Sequence, residues 1–183
     1  MVCRFLSTCL AAVILTNSAV AAQAPGSGAA DSHVTYALRD AVTGSLIRQD
    51  RVTASVPFNK RYDELTAEQK AVLRQESAAA KPTDETPFPS DGLRHLVNPL
   101  MRLAEHSGMS GPLVASAEVD AQGHALSVSV RTSPDPSMTE LAQVALLKET
   151  YRPARCDGQP CAMTYVLRVT FLPSDTSLVE GSW

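Results

Sequence analysis

The sequence predicts an α+β protein whose most regular pattern lies between Gly111 and Pro173. Two alternating apolar runs come first in this stretch, a helix with capping residues follows, and a third alternating run ends it. Such alternation is typical of strands with one buried face, and apolar residues three and four apart are typical of a packed helix. We therefore predict a ββαβ unit with one packed helix, preceded by a β-hairpin and two further helices.

Residues 1–22 have the composition of a secretory signal peptide. Arg4 supplies a positive charge, Leu10–Leu15 forms the apolar core, and the small residues that follow suit a signal peptidase. The apolar run is shorter than the roughly 20 residues that a membrane span needs. We expect cleavage after Ala21 or Ala22 and export of the mature chain.

Two alternatives for the leader stay open. Without cleavage it would act as a membrane anchor, and in a lipoprotein Cys9 would be the lipidated residue. Cys9 lies before the apolar core and follows Thr8, where a lipoprotein has a small residue, and both features disfavour lipidation.

The mature chain has a mildly acidic balance and a length suited to one domain. About 160 residues remain after the leader, enough for a real core. The formal net charge is −3 and becomes −4 once Arg4 leaves, because the leader has no acidic residue. This balance argues against nucleic acid as a partner.

Two cysteines stay in the mature chain. Cys3 and Cys9 leave with the leader, and Cys156 and Cys161 remain. Four residues separate the remaining pair, whereas two separate the cysteines of a redox-active motif. We predict a structural disulfide in an oxidising compartment.

Residues 23–56 contain a tail and a hairpin. Residues 23–32 are mostly Ala, Gly, Ser and Pro, which predicts a disordered tail. Apolar residues alternate over 33–56 on both sides of the turn signal Ala41–Gly44. This pattern predicts a β-hairpin.

A first helix and a linker are predicted next. Thr66 and Gln69 form a capping box in front of a helix over about 67–77. The proline-rich segment 81–90 should be extended, with Phe88 packed onto the domain. A role of this segment as a ligand for a partner stays open.

A second helix is predicted over 92–107, which completes the region 33–110. Asp91 is its expected N-cap, and Gly108 should end it. Pro99 lies inside the pattern and should bend or break the helix.

The domain 111–173 begins with the clearest hairpin of the chain. Residues 113–119 and 126–131 alternate, and the turn Asp120–Gly123 joins them. Gly123 is expected to take a positive φ in that turn.

A helix and a third strand complete this domain. Ser137 and Glu140 form a second predicted capping box, and the helix should end near Thr150. Tyr165–Phe171 alternates as the closing strand. The polar residues 174–183 form a C-terminal tail.

The order strand, strand, helix, strand predicts an antiparallel or mixed sheet with one packed helix. The helix returns the chain to its starting edge, and the right-handed crossover rule places the third strand beside the first, which gives the order 2-1-3. The third strand then has an open backbone edge. Such an edge needs covering or accepts another strand.

Several short motifs follow one another in the region 111–173. They are Val114–Val119, Asp120–Gly123, Val128–Val130 with a serine-containing loop, a helix with Ala142 and Ala145, Tyr151–Ala154, a Gly158 loop and Tyr165–Phe171. Together they resemble the C-terminal domain of the TonB energy-transducer family. Val56–Lys60, Tyr62–Thr66, Pro87–Leu93 and Cys156–Cys161 also resemble a narrower group of exported proteins that carry this domain.

The resemblance implies a periplasmic domain that binds a short segment of an outer-membrane transporter by strand addition. In the family, an inner-membrane helix and a long proline-rich spacer connect the domain to a proton-driven motor. This sequence has a leader of the cleavable type and a shorter spacer. We therefore expect a binding or accessory role rather than force transduction by this chain alone.

The functional prediction is a periplasmic, non-enzymatic binding module that engages a TonB-dependent outer-membrane transporter or another envelope protein. The expected partner-binding edge strand consists of Met163, Thr164, Tyr165, Val166, Leu167, Arg168, Val169, Thr170 and Phe171. Two alternatives stay open. The chain would be a structural envelope protein if this edge paired with a second copy as a homodimer, or it would be a small periplasmic enzyme.

No catalytic or metal-binding constellation is evident in the sequence. The four histidines are His33, His95, His106 and His124. His95 and His106 would lie about 16 Å apart along a helix, too far to share an ion. Gly108–Gly111 lacks the spacing of a nucleophile elbow. We expect no metal, no cofactor and no small-molecule substrate.

Overall fold

An antiparallel sheet of five strands runs through the computed structural model, which describes residues 34–41, 48–77 and 80–173. The strands are β1 (Tyr36–Ala41), β2 (Arg48–Ala54), β3 (Phe88–Pro89), β4 (Gly111–Val119), β5 (Ala125–Thr132), β6 (Tyr151–Arg152), β7 (Ala154–Cys156), β8 (Gln159–Cys161) and β9 (Met163–Phe171). The α-helices are α1 (Ala67–Glu76), α2 (Leu93–Ser107) and α3 (Pro136–Lys148). The lateral order of the large sheet is β1-β2-β9-β4-β5. The predicted signal peptide and both predicted tails lie outside the described residues. Of the predicted hairpin turn Ala41–Gly44, only Ala41 is among them.

One face of this sheet carries the core. Alternate residues of β4 and β9 are buried there, as the period of a strand requires, with Leu113 and Leu167 both at 1% exposure or less. α3 packs over β5 and β4, and α2 packs against α3. The helices contribute Leu93, Leu96, Val97, Leu100, Met101, Ala104, Met138, Ala142 and Leu146 to the same cluster.

The predicted N-terminal hairpin is present and belongs to the same sheet. β1 and β2 are antiparallel, and β2 pairs with β9 through Val52–Ala54. Val52 and Ala54 are buried on the core side. The five strands therefore share one core, although β2 and β9 are far apart in the sequence.

The capping box of α1 is confirmed. Thr66 Oγ1 accepts a hydrogen bond from the backbone N–H of Gln69 at 3.3 Å, and Gln69 Oε1 accepts one from the N–H of Thr66 at 2.9 Å. Gln69 Nε2 also donates to the hydroxyl of Tyr36 at 2.6 Å, which ties α1 to β1. Phe88 is fully buried, as predicted for the linker.

The predicted N-cap of α2 was wrong. Gly92 rather than Asp91 is the N-cap, with φ +81°, and a Cβ at this position would lie 2.8 Å from the carbonyl oxygen of Lys60. The close backbone approach selects glycine at this position. The helix continues through Pro99, which lies at an exposed position, so the proline does not break it. Gly108 ends the helix in the left-handed conformation, as predicted.

The start of α3 also differs from the prediction. Asp135 is the N-cap, and its Oδ1 accepts a hydrogen bond from the backbone N–H of Ser137 at 2.8 Å. Ser137 is therefore inside the helix and does not form a capping box with Glu140. Pro136 occupies the first helical position, where a missing N–H costs nothing. The helix ends at Lys148, slightly before the predicted Thr150.

Candidate functional site

β9 is the strand that the sequence predicts as the partner-binding edge, and the structure places it inside the sheet. β4 pairs with it along all nine of its residues. β2 pairs with its other side from Val169 to Phe171 only. The prediction of an open edge was wrong for these last residues, because the N-terminal hairpin covers them.

The predicted site residues divide into two sets by strand alternation. Met163, Tyr165, Leu167, Val169 and Phe171 are buried in the core. Their side chains are therefore not available to a partner. Thr164, Val166, Arg168 and Thr170 point to the opposite face and are partly or fully exposed.

No strand of the described residues pairs with the outer backbone edge of β9 between Thr164 and Arg168. The carbonyl of Thr164 accepts a hydrogen bond from Ser77 Oγ at 3.0 Å, and the N–H of Leu172 donates to the carbonyl of Arg51 at 2.9 Å. Both groups therefore face away from β4. In an antiparallel strand this orientation repeats every second residue, so the N–H groups of Val166 and Arg168 face the same way.

The C-terminal end of α1 lies against this open stretch. Glu76 Oε1 is 3.6 Å from Nε of Arg168, and the Glu76 side chain is 13% exposed. Ser77 is 5% exposed and holds the carbonyl of Thr164. The stretch that β2 leaves uncovered is thus contacted by two polar side chains instead of a strand.

Two grooves meet at Glu76 and Arg168. One, of about 350 Å³, lies over the polar face of the sheet and is lined by Val114, Ser116 and Val166 among others. The other, of about 450 Å³, lies between α1 and the strands β2 and β9. Both are lined by Glu76 and Arg168.

The groove over the sheet has a mixed charge. Glu118 Oε1 accepts a hydrogen bond from Thr164 Oγ1 at 2.8 Å, while Arg131 and Arg168 supply positive charge. Val114 and Val166 add apolar side chains to the same lining. Such a surface suits a peptide with both polar and apolar side chains.

Aromatic rings connect the N-terminal region to β9 on the core side. The ring centroids of Tyr62 and Phe88 are 6.2 Å apart, those of Phe88 and Tyr165 6.4 Å, and those of Tyr151 and Tyr165 5.3 Å. Burial raises the pKa of both Tyr151 and Tyr165 above the usual value of a tyrosine. Both phenols are therefore neutral at physiological pH.

The charged side chain of Arg152 contacts both Tyr62 and Glu85. Its guanidinium lies 4.4 Å from the ring centroid of Tyr62 and donates to Glu85 Oε2 at 2.5 Å. The hydrogen bond from Arg152 holds the pKa of Glu85 below its usual value. Arg152 thereby links the linker before α2 to the segment after α3.

The structure contains the disulfide between Cys156 and Cys161. It lies in the β7–β8 hairpin, whose turn residues Asp157 and Gly158 both have positive φ, at 51° and 82°. Backbone hydrogen bonds of 2.9 Å in both directions join Arg155 to Glu85. The hairpin is thus fastened to the linker just before the chain enters β9.

Within residues 34–41, 48–77 and 80–173, no cluster of three or more His, Cys, Asp or Glu side chains could hold a metal ion. His95 lies near Glu149, at 3.7 Å, and His124 near Asp120, at 3.4 Å. His33 is outside these ranges. No helix in the described part of the chain is both long and apolar enough for a membrane span.

Residues 102–173 match the family model described as the Gram-negative bacterial TonB protein C-terminal. The match begins near the middle of α2 and includes β4, β5, α3 and β9. Neither a curated protein nor a solved structure matches the chain. This match confirms the resemblance of the region to the C-terminal domain of the TonB family. The resemblance to a narrower group of exported proteins stays a prediction.

Proposed function

Because residues 102–173 match the TonB C-terminal family model, we propose that the chain binds an extended segment of an envelope protein by β-strand addition. Domains of this family are non-enzymatic envelope modules that interact with proteins in the periplasm. Addition of a strand uses main-chain hydrogen bonds for affinity and pockets for alternate side chains for specificity. A segment of an outer-membrane transporter is the partner that the family favours.

The proposed site is the Thr164–Arg168 edge, meaning the outer backbone edge of β9 over these residues. The observation that carries the proposal is that β2 leaves β9 after pairing with Val169. A partner strand would continue along the same line and use the outward backbone groups of Thr164, Val166 and Arg168. Alternate side chains of that strand would enter the groove of about 350 Å³ over the sheet.

The outer edge of β5 is a less suitable site. Its pairing with β4 is irregular between Val114 and Ala115 and again between Glu118 and Val119. Irregularities of this kind twist an edge and discourage the addition of a further strand. Self-association of the chain through β5 is therefore a secondary candidate, and sedimentation across a range of concentrations distinguishes it.

The test compares two substitutions at Val166, of which only one removes the backbone N–H donor. Val166→Pro removes an outward N–H without removing a hydrogen bond to β4, whereas Val166→Thr keeps the N–H and the branched shape. Each variant serves as bait in envelope extract after crosslinking, and circular dichroism verifies that both are folded. We expect the recovery of bound proteins to fall at least about tenfold for Val166→Pro and less than twofold for Val166→Thr. Equal recovery from two folded variants would rule out this edge.

A further inference from the structure

We propose that Glu76 and Ser77, at the C-terminal end of α1, form a latch over the Thr164–Arg168 edge that a partner strand must displace. Regulation of partner binding by the latch rests on the proposed function. The presence of the latch in the free protein does not depend on what the protein binds. Separate measurements therefore test the presence of the latch and its effect on binding.

The first observation is that Ser77 occupies a backbone group that strand addition needs. Its hydroxyl donates to the carbonyl of Thr164 at 3.0 Å. This carbonyl faces the outer edge, where it would accept from a partner strand. Only one of the two donors can use it in the aligned geometry, so the contact and strand addition compete.

The second observation is the ion pair between Glu76 and Arg168, at 3.6 Å. A carboxylate in the last turn of a helix is unfavourable next to the negative end of the helix dipole. The guanidinium of Arg168 offsets this cost. The pair also lies where the two grooves meet, so a strand running along β9 would pass through its position.

The third observation is a difference in anchoring between the two elements that contact the outer side of β9. β2 forms ladder pairs with β9 and buries Val52 and Ala54 in the core. The contacts of Glu76 and Ser77 with β9 include a side-chain hydrogen bond and a partly exposed ion pair, and neither contact is a ladder pair. Displacing these two side chains would therefore leave the β2–β9 ladder and its buried residues in place.

The test removes the latch contacts and measures the edge in the free protein. The variant Glu76→Gln/Ser77→Ala loses the ion pair and the hydrogen bond. Glu105→Gln is the matched control, because it removes an ion pair with Arg51 that lies elsewhere. NMR then measures the hydrogen-exchange rates of the Val166 and Arg168 amides. The exchange rate of the Leu167 amide, which faces β4, is the internal reference.

We expect exchange of the Val166 and Arg168 amides to become at least about tenfold faster in the double variant. The Leu167 amide and the Glu105→Gln control should change less than about twofold. Added salt, from about 50 to 500 mM, should accelerate exchange of the same two amides in the wild type, since it screens a partly exposed ion pair. Unchanged exchange at Val166 and Arg168 would overturn the latch, whatever the protein binds.

A second measurement concerns control of binding. In the crosslinking assay with envelope extract, the double variant should recover several-fold more of the proteins whose capture depends on Val166. Faster amide exchange with unchanged recovery of bound proteins would show that the latch exists but does not control binding, and this would overturn the proposed regulation. If the recovery of bound proteins never depends on Val166, the proposed function is contradicted. The amide exchange rates still decide in that case whether the latch exists.

Discussion

The two sides of β9 differ in how completely they are paired. β4 pairs with every residue of β9, and the buried side chains of both strands lie in one core. β2 pairs with three residues at one end and then departs. β9 is therefore paired along its full length on one side only. Over the Thr164–Arg168 edge, no strand of the described residues pairs with the other side, and Glu76 and Ser77 contact it instead.

The largest effect should come from the core side of β9 itself. Leu167 is 1% exposed, so Leu167→Ala should lower the free energy of unfolding by about 2–5 kcal/mol. Val166→Ala, on the opposite face, should cost less than about 1 kcal/mol. Urea denaturation of both variants measures the difference. Equal losses would contradict the division of β9 into a core face and a binding face.

The next effect concerns the turn that joins β4 to β5. Gly123 has φ +89°, and a Cβ there would lie 2.0 Å from the carbonyl oxygen of Tyr151. Gly123→Ala should therefore cost about 2–3 kcal/mol, through backbone strain and the displaced contact. Gly158→Ala is the control, because it has a positive φ but no atom within 4 Å, and it should cost about 1 kcal/mol. Equal costs would show that the contact with Tyr151 contributes nothing.

The disulfide lies just before the chain enters β9. The bond closes a small loop, so chain entropy limits its contribution to about 2 kcal/mol. The double variant Cys156→Ser/Cys161→Ser should show a lower thermal midpoint and retain partner capture that depends on Val166. Reduction of the wild type should give the same shift. Loss of capture in a variant that remains folded would assign the hairpin a direct part in binding.

The smallest effect should come from Glu85, whose contact with Arg152 joins the linker to the segment after α3. Its pKa is lowered in the folded state, so the ionised form stabilises the fold. This stabilisation is present above the unfolded value near 4.5 and is lost as the pH falls through the folded value. The pair is partly exposed, so Glu85→Gln should cost less than about 1 kcal/mol at pH 7.

Thermal unfolding between pH 3 and 7 checks this expectation. The stability difference between wild type and Glu85→Gln should shrink as the pH falls below 4.5. Glu140→Gln, at an exposed position on α3, should show no such convergence. A difference that stays constant down to pH 3 would mean that the ion pair does not stabilise the folded chain.

Local signals in the sequence predicted most elements correctly. Both hairpins, the capping box at Thr66, the end of α2 at Gly108 and the turn at Gly123 depend on residues within a few positions of one another. Each such signal has a nearby physical cause, and the structure shows the expected contacts. The disulfide was also predicted correctly, from the spacing of Cys156 and Cys161 and from the predicted export of the chain.

The errors arose where distant parts of the chain meet. Asp91 has a good capping side chain, but the approach of the backbone at Lys60 places glycine at the N-cap of α2. The pairing of β2 with β9 joins residues such as Thr53 and Thr170, which are 117 positions apart. No local pattern specifies which sheet a hairpin joins. For that reason the sequence predicted an edge strand and the structure contains a strand with only part of its edge open.

Crosslinking in cells shows whether a partner lies at the Thr164–Arg168 edge. A photoreactive residue at Gln75, which is exposed and lines the groove between α1 and β9, is compared with one at Gln143, which is exposed on α3. Strand addition at the Thr164–Arg168 edge predicts an adduct to an envelope protein from position 75, its loss with Val166→Pro, and none from position 143. Equal adducts from both positions, or an adduct at 75 that persists with Val166→Pro, would contradict the account.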